Sequence, residues 1–211
     1  GYYTIAQSSE EVRAWYSFND GNWNDFNTWS LNPDSPLNPA DEIPGIMDKV
    51  VIQASKTVTV TDNNISAGVL EVNAGILDFG TATGQSFSSI TGQSAGTIRL
   101  AGDNFPSGDA SGFANAATGG TVEYYGMGYS LTLPRTFRNV KVNLANASQR
   151  IFLLTDYTLN GNLTIERGEL QLGDGASTAA RNLTVFENVE VQANGKILTG
   201  TGNARHQFNL Y

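Results

Sequence analysis

The chain between Tyr157 and Gly200 writes one pattern twice. Leu159, Leu163, Ile165, Leu170 and Leu172 mark the first copy; Leu183, Val185, Val189, Val191 and Ile197 mark the second. In both copies the apolar residues alternate with polar ones over short runs, and Asn and Gly separate the runs. A period of two belongs to a strand with one face inside and one outside, and no segment of helical length carries a 3.6-residue apolar stripe. A pattern that recurs at a fixed interval requires units that stack on one another.

A glycine followed by x-apolar-x-apolar extends the repeat backwards. Gly75 precedes Leu77 and Phe79, Gly96 precedes Ile98 and Leu100, and Gly120 precedes Val122 and Tyr124. Gly168 precedes Leu170 and Leu172, and Gly195 precedes Ile197; Gln149 holds the marker position before Ile151 and Leu153. The steps are 21, 24, 29, 19 and 27 residues, a mean of 24. Two further apolar pairs precede each late marker, as in Leu131/Leu133, Val140/Val142 and Ile151/Leu153. The expected fold is therefore all-β: a parallel β-helix, or β-solenoid, with three short strands per coil. One coil buries too few apolar side chains to offset the ordering of its backbone, so stability must come from neighbouring coils. Asn139, Asn162 and Asn188 each precede a middle strand, and stacking would let their amides hydrogen-bond from coil to coil.

Residues 1–49 read differently. They hold all three tryptophans, Trp15, Trp23 and Trp29, and four of the six prolines. The expectation is an N-terminal aromatic and Pro-rich cap over residues 1–49, with Trp23 and Trp29 covering the end of the core, followed by the solenoid over 50–211. Residues 102–119 lack alternation and are rich in small residues, which predicts a surface loop protruding from one corner. Such insertions often carry binding.

Several chemistries are disfavoured. A net charge of −8 opposes the phosphate backbone of nucleic acid. Cysteine is absent, which removes disulfides and thiolate metal sites. No apolar run is long enough for a membrane-spanning helix. The single histidine, His206, leaves a Ser-His-Asp arrangement without an evident base. Asn-x-Ser/Thr occurs at Asn64, Asn146, Asn162 and Asn182, where it opens or borders strands. In Asp103-Asn104-Phe105-Pro106-Ser107-Gly108-Asp109 the oxygen-bearing side chains make Asp103 and Asp109 weak calcium candidates, with Asn104 as a further binding residue, but the spacing is not that of an EF-hand. No other cofactor is expected. Outward positions carry charges of alternating sign: Glu71, Lys141 and Glu190 are expected on one face, and Asp78, Arg99, Glu123 and Gln171 on another. That arrangement suits ion pairs between strands. Trp15, Tyr124, Tyr125 and Tyr129 are the aromatic candidates for a sugar-binding surface.

The segments Asn22-Trp23-Asn24-Asp25-Phe26-Asn27-Thr28-Trp29-Ser30, Ile43-Pro44-Gly45, Asp48-Lys49-Val50-Val51-Ile52 and Thr57-Val58-Thr59-Val60 resemble the opening of large Bacteroidetes surface proteins. The later Asn-Gly-Asn-Leu-Thr-Ile pattern at 160–165 is similar to the repeats of the same adhesin-like proteins. The resemblance implies a right-handed parallel β-helix exported by the type IX secretion route and displayed on the cell surface or released. It also implies further domains in a larger parent protein, and roles in adhesion, gliding or contact with surface glycans. The functional expectation is a non-catalytic extracellular module that supplies length and a binding face. The alternative is a polysaccharide-processing or glycan-binding protein on the same scaffold, with residues 102–119 as the rim of its groove.

Overall fold

A computed structural model describes residues 12–38, 40–93, 95–176, 179–200 and 205–211. The alternating runs form strands in chain order. The first are β1 (Ala14–Ser17), β2 (Gly21–Asn22) and β3 (Trp29–Ser30), followed by β4 (Lys49–Ile52) and β5 (Thr57–Thr59). Next come β6 (Ser66–Val72), β7 (Ile76–Asp78), β8 (Ser86–Gly92) and β9 (Thr97–Leu100). Then β10 (Ser107–Asp109) leads into a one-turn helix α1 (Ser111–Ala114), β11 (Thr121–Gly126) and β12 (Tyr129–Leu131). The last are β13 (Arg135–Phe137), β14 (Asn139–Leu144), β15 (Arg150–Leu153), β16 (Tyr157–Leu159), β17 (Leu163–Leu172), β18 (Asn182–Val185), β19 (Val189–Thr199) and β20 (Gln207–Leu210).

These strands stack in parallel as a β-solenoid of about 7 turns of about 22 residues, with 4% helix. The first sheet runs β3-β1-β4-β6-β8-β10, and only the β1–β3 pair is antiparallel. The second runs from β2 through β5, β7, β9, β11 and β14 to β17, where β15 and β12 join and β19 pairs beyond. The third is β13-β16-β18-β20. Strand β17 serves two sides of the coil. Its first half pairs with β14 and its second with β15, and it turns the corner at Gly168, whose φ is +103°.

Register aligns like with like up the stack. Trp15, Val50, Leu70 and Ile90 are partners in successive strands, and none is exposed. Such columns make the core continuous, which is what a lone coil lacks. The period is not uniform. Partners are 20 residues apart from Val50 to Leu70 to Ile90, and 23 and 26 apart from Val140 to Leu163 to Val189. The early coils have two strands and an irregular third side. Three strands per coil holds from β11 onward.

Two boundaries differ from expectation. The solenoid does not begin at residue 50: β1 pairs in parallel with β4 and β2 with β5, so the first coil lies inside the aromatic segment. Only the part after β2 folds over as a cover; residues 1–11 lie outside the described residues. Trp23 and Trp29 are buried as expected of a cover, packed edge to face at 5.1 Å, and the Trp29 indole N–H donates to the Trp23 carbonyl at 2.7 Å. Residues 102–119 are likewise no protruding loop. Phe105 is buried, β10 pairs with β8, and α1 inserts the fully buried Phe113 into the core. The small residues there allow a helix to pack where a strand would otherwise run, which alternation cannot reveal.

The asparagine ladder forms. Asn162 donates its backbone and amide N–H to Asn139 Oδ1 at 3.0 and 3.2 Å, and Asn188 donates both to Asn162 Oδ1 at 3.1 and 3.0 Å. Replacing Asn162 with alanine leaves the two Asn188 donors without their acceptor and takes from Asn139 Oδ1 one of its two donors. A loss of about 1–2 kcal/mol is expected, measurable as a lower denaturant midpoint; an unchanged midpoint would show the ladder to be incidental.

Candidate functional site

The outer face of the second sheet carries the charges that alternation pointed outward. Parallel register places Asp78, Arg99, Glu123 and Lys141 side by side on four consecutive strands, with Thr164 next and Glu190 beyond. Arg99 meets Asp78 at 3.0 Å and Glu123 at 3.7 Å; Lys141 meets Glu123 at 3.8 Å and Glu166 at 2.9 Å. Each cation thus bridges two carboxylates of neighbouring coils. A second ladder lies after the corner, where Glu169 accepts from Arg150 Nε at 2.7 Å and from Lys196 at 3.1 Å. The two expected faces do not separate: Lys141 and Glu190 join Asp78, Arg99 and Glu123 in one row, while two other positions lie away from it. Glu71 sits on the first sheet and pairs with Lys49 at 2.6 Å, and Gln171 belongs to the second half of β17, bonded by Arg150 at 2.7 Å. The period of two tells inside from outside but not which side of the coil a strand occupies.

Beside the first ladder, a groove of about 550 Å³ follows the stack, lined among others by Thr121, Lys141, Thr164, Glu166, Asn188 and Glu190. Its walls alternate cation, carboxylate, hydroxyl and amide, a lining suited to a hydroxyl-rich ligand. Thr164, Glu166 and Asn188 were not singled out as site residues from the sequence. They follow once strand 163–167 is placed between its two neighbours.

The carboxylates with resolved shifts go down. Hydrogen bonding from Arg150, then Lys196, holds Glu169 below the ordinary carboxylate range against the opposing effect of burial. Burial pushes Glu71 up, but the bonds from Lys49 and Asn73 outweigh it and the net shift is downward. A general acid at neutral pH needs the opposite displacement.

The aromatic candidates divide. Trp15 and Tyr124 are buried, at 0% and 2% exposure, which corrects their reading as surface aromatics. Inward register makes them core. The Tyr124 hydroxyl lies 3.3 Å from that of Tyr157, and burial raises both hydroxyls well above their ordinary range. Tyr129 is half-buried and donates to the Leu100 carbonyl at 3.1 Å; burial raises it as well. Tyr125 is also half-buried, donates to Asp78 at 2.8 Å and lies under Arg99 at 4.3 Å. Burial, with the Asp78 bond, pushes its hydroxyl up to about 12.

Asp103, Asn104 and Asp109 each hold a separate turn. Asp103 accepts from the Thr132 backbone and hydroxyl, both at 2.8 Å, while the Asn104 amide donates to the Gly80 and Ala82 carbonyls at 3.0 and 2.7 Å. Asp109 accepts from the Ser111 N–H at 3.0 Å, which lowers its pKa. They share no partner, and among the described residues no three His, Asp or Glu side chains are grouped to hold a metal ion. Nor is any described helix long and apolar enough to cross a membrane.

Fold and face together define a parallel β-solenoid with charge ladders on two of its sides. Compared with known protein families, curated proteins and solved structures, the chain matches none.

Proposed function

We propose that this chain is a non-catalytic extracellular module, an adhesin-like solenoid that supplies length and a lateral face for contact with cell-surface glycans. The observation that carries the reading is the commitment of the outward charges to pairs between coils, from Asp78 through Arg99, Glu123 and Lys141 to Glu166. Charges used in this way stiffen a rod, which suits a spacer better than an acid-base pair. The resemblance of the Trp-rich opening and of the Asn-Gly-Asn-Leu-Thr-Ile repeat to type IX-exported Bacteroidetes surface proteins supports the extracellular setting and a larger parent protein. The groove of about 550 Å³ supports glycan contact as the mode of binding.

The test is to incubate the protein with a panel of algal and host polysaccharides, measuring retention and product release together. Retention without release of oligosaccharides is expected. The Lys141→Glu variant, which places a third negative charge beside Glu123 and Glu166, should bind anionic polysaccharides several-fold more weakly. Release of oligosaccharides that disappears in Glu123→Gln or Glu166→Gln would replace this reading with the enzymatic one.

A further inference from the structure

The side of the coil that starts as the first sheet does not continue unbroken. β10 is the last strand of the first sheet and β13 the first of the third. They nevertheless belong to consecutive coils. β11, which follows β10, pairs in full register with β14, which follows β13. The break coincides with α1, which packs against β8 where the rest of a strand would lie. β10 therefore pairs only with β8, and β13 only with β16. Two strand edges border one opening, a cleft of about 320 Å³ lined by Phe105, Gly108, Asp109, Ser111, Arg135 and Thr136 among others.

Arg135 is the unusual residue there. It holds an inward position on β13, in register with buried Tyr157, and the next inward residue is the buried Phe137. An arginine thus takes a place that an apolar side chain fills in the following coils. Its guanidinium lies over the Phe105 ring at 5.3 Å. Its Nε has no exposed surface and no hydrogen-bond partner. Among the described residues no carboxylate pairs with it, whereas Arg13, Arg99, Arg138 and Arg150 each have one. A buried cationic donor without an acceptor is costly, and such groups usually mark a missing partner.

We infer that this cleft binds an extended peptide segment bearing an acidic side chain. Its main chain pairs with the open edge of β13, β10 or both, as an added strand does in sheet-edge recognition. Its carboxylate reaches Arg135, whose planar fork donates two parallel N–H···O bonds to such a group. The strand edges select a peptide over a sugar, and the unmatched guanidinium selects an acidic one over a neutral one. The inference is independent of glycan contact along the second sheet, which lies on another side of the coil.

The probe is a labelled, end-capped pentapeptide with valine and serine alternating around a central glutamate, titrated by fluorescence polarisation against the whole chain. Saturable binding is expected. Replacing the glutamate with glutamine should weaken it at least tenfold, and N-methylating the backbone on either side of the glutamate should abolish it. These two changes are made in the ligand and leave the fold untouched. Arg135→Gln in the protein, checked for an intact β circular dichroism spectrum, should equalise the acidic and neutral peptides. Equal binding of both peptides to the unaltered protein, indifference to N-methylation, or no binding of the acidic peptide would overturn the inference. Binding of an oligogalacturonate that depends on Arg135, where the peptide fails, would assign the cleft to an anionic sugar instead.

Discussion

Replacing Asp48 with alanine is expected to lower the unfolding free energy by about 3 kcal/mol, because it removes a buried anion to which several donors converge. Asp48 is 5% exposed. Its carboxylate accepts from the Trp15 indole N–H at 2.8 Å, the Gly45 backbone at 2.8 Å and the Arg13 backbone at 3.1 Å, with the Arg13 guanidinium at 3.5 Å. The Asp48 carbonyl also accepts from Gly68 and Val69, which ties this corner to the next coil. Burial alone would raise its pKa; the bonds from Gly45, Trp15 and Arg13 reverse that and hold it below the ordinary value. A depressed carboxylate contributes stability that is complete above its unfolded pKa and is lost as pH falls through the folded one. The gap in denaturation midpoint between the wild type and Asp48→Asn should therefore be full at pH 7 and narrow below roughly pH 4, the ordinary aspartate value. A gap that stays constant into acid would show that shape, not charge, matters at this position.

Replacing Gly96 with alanine should cost about 2–3 kcal/mol through overpacking against backbone that has little room to move. A Cβ there would lie 2.1 Å from the Val72 carbonyl oxygen of the coil below. Gly75 stands in the same relation to the Gln53 carbonyl, at 2.3 Å. This is the physical content of the recurring glycine: at that corner the chain crosses so close to its neighbour that a side chain would push the coils apart. Gly102 is the control, since a Cβ there meets only the Asn104 side chain at an ordinary 3.5 Å. Gly102→Ala should leave the unfolding free energy within about 0.5 kcal/mol of the wild type. Equal losses at both positions would mean that the marker reflects local turn preference and not stacking.

Much of the solenoid can be read in the sequence because its rules are local and repeated. The inward column Val50, Leu70, Ile90 follows from period-two alternation, and the asparagine ladder from spacing. The alternating signs of Asp78, Arg99 and Glu123 fall into register as a ladder requires, but Lys141, expected on another face, completes it. The failures share one cause. Alternation gives the face of a strand but not its side of the coil, so it separates Lys141 and Glu190 from Asp78, Arg99 and Glu123 and gives Glu71 and Gln171 the wrong neighbours. It also reads any stretch without alternation as loop or cap, so it missed β1 and β2 before the aromatic cover, and β10 with α1 inside 102–119.

The candidate sites show the same division. Tyr124 and Tyr125 are adjacent aromatics in the sequence, yet one lies in the core and the other holds Asp78 on the outer face. Strand pleating separates them, and only register assigns their partners. Arg135 gave no signal in the sequence, because an arginine after a proline near a turn is unremarkable until the strand direction points it inward.

Stacking as β coils, the places of the glycine corners and the alignment of the asparagines are all written along the chain. Each of those depends on intervals along the chain, and stacking turns equal intervals into contacts. Which charges meet, the first coil beneath the tryptophans and the opening beside Arg135 emerge only in three dimensions. Those features depend on how far each corner turns and on what a short helix displaces, and neither quantity is written in the period of the repeat.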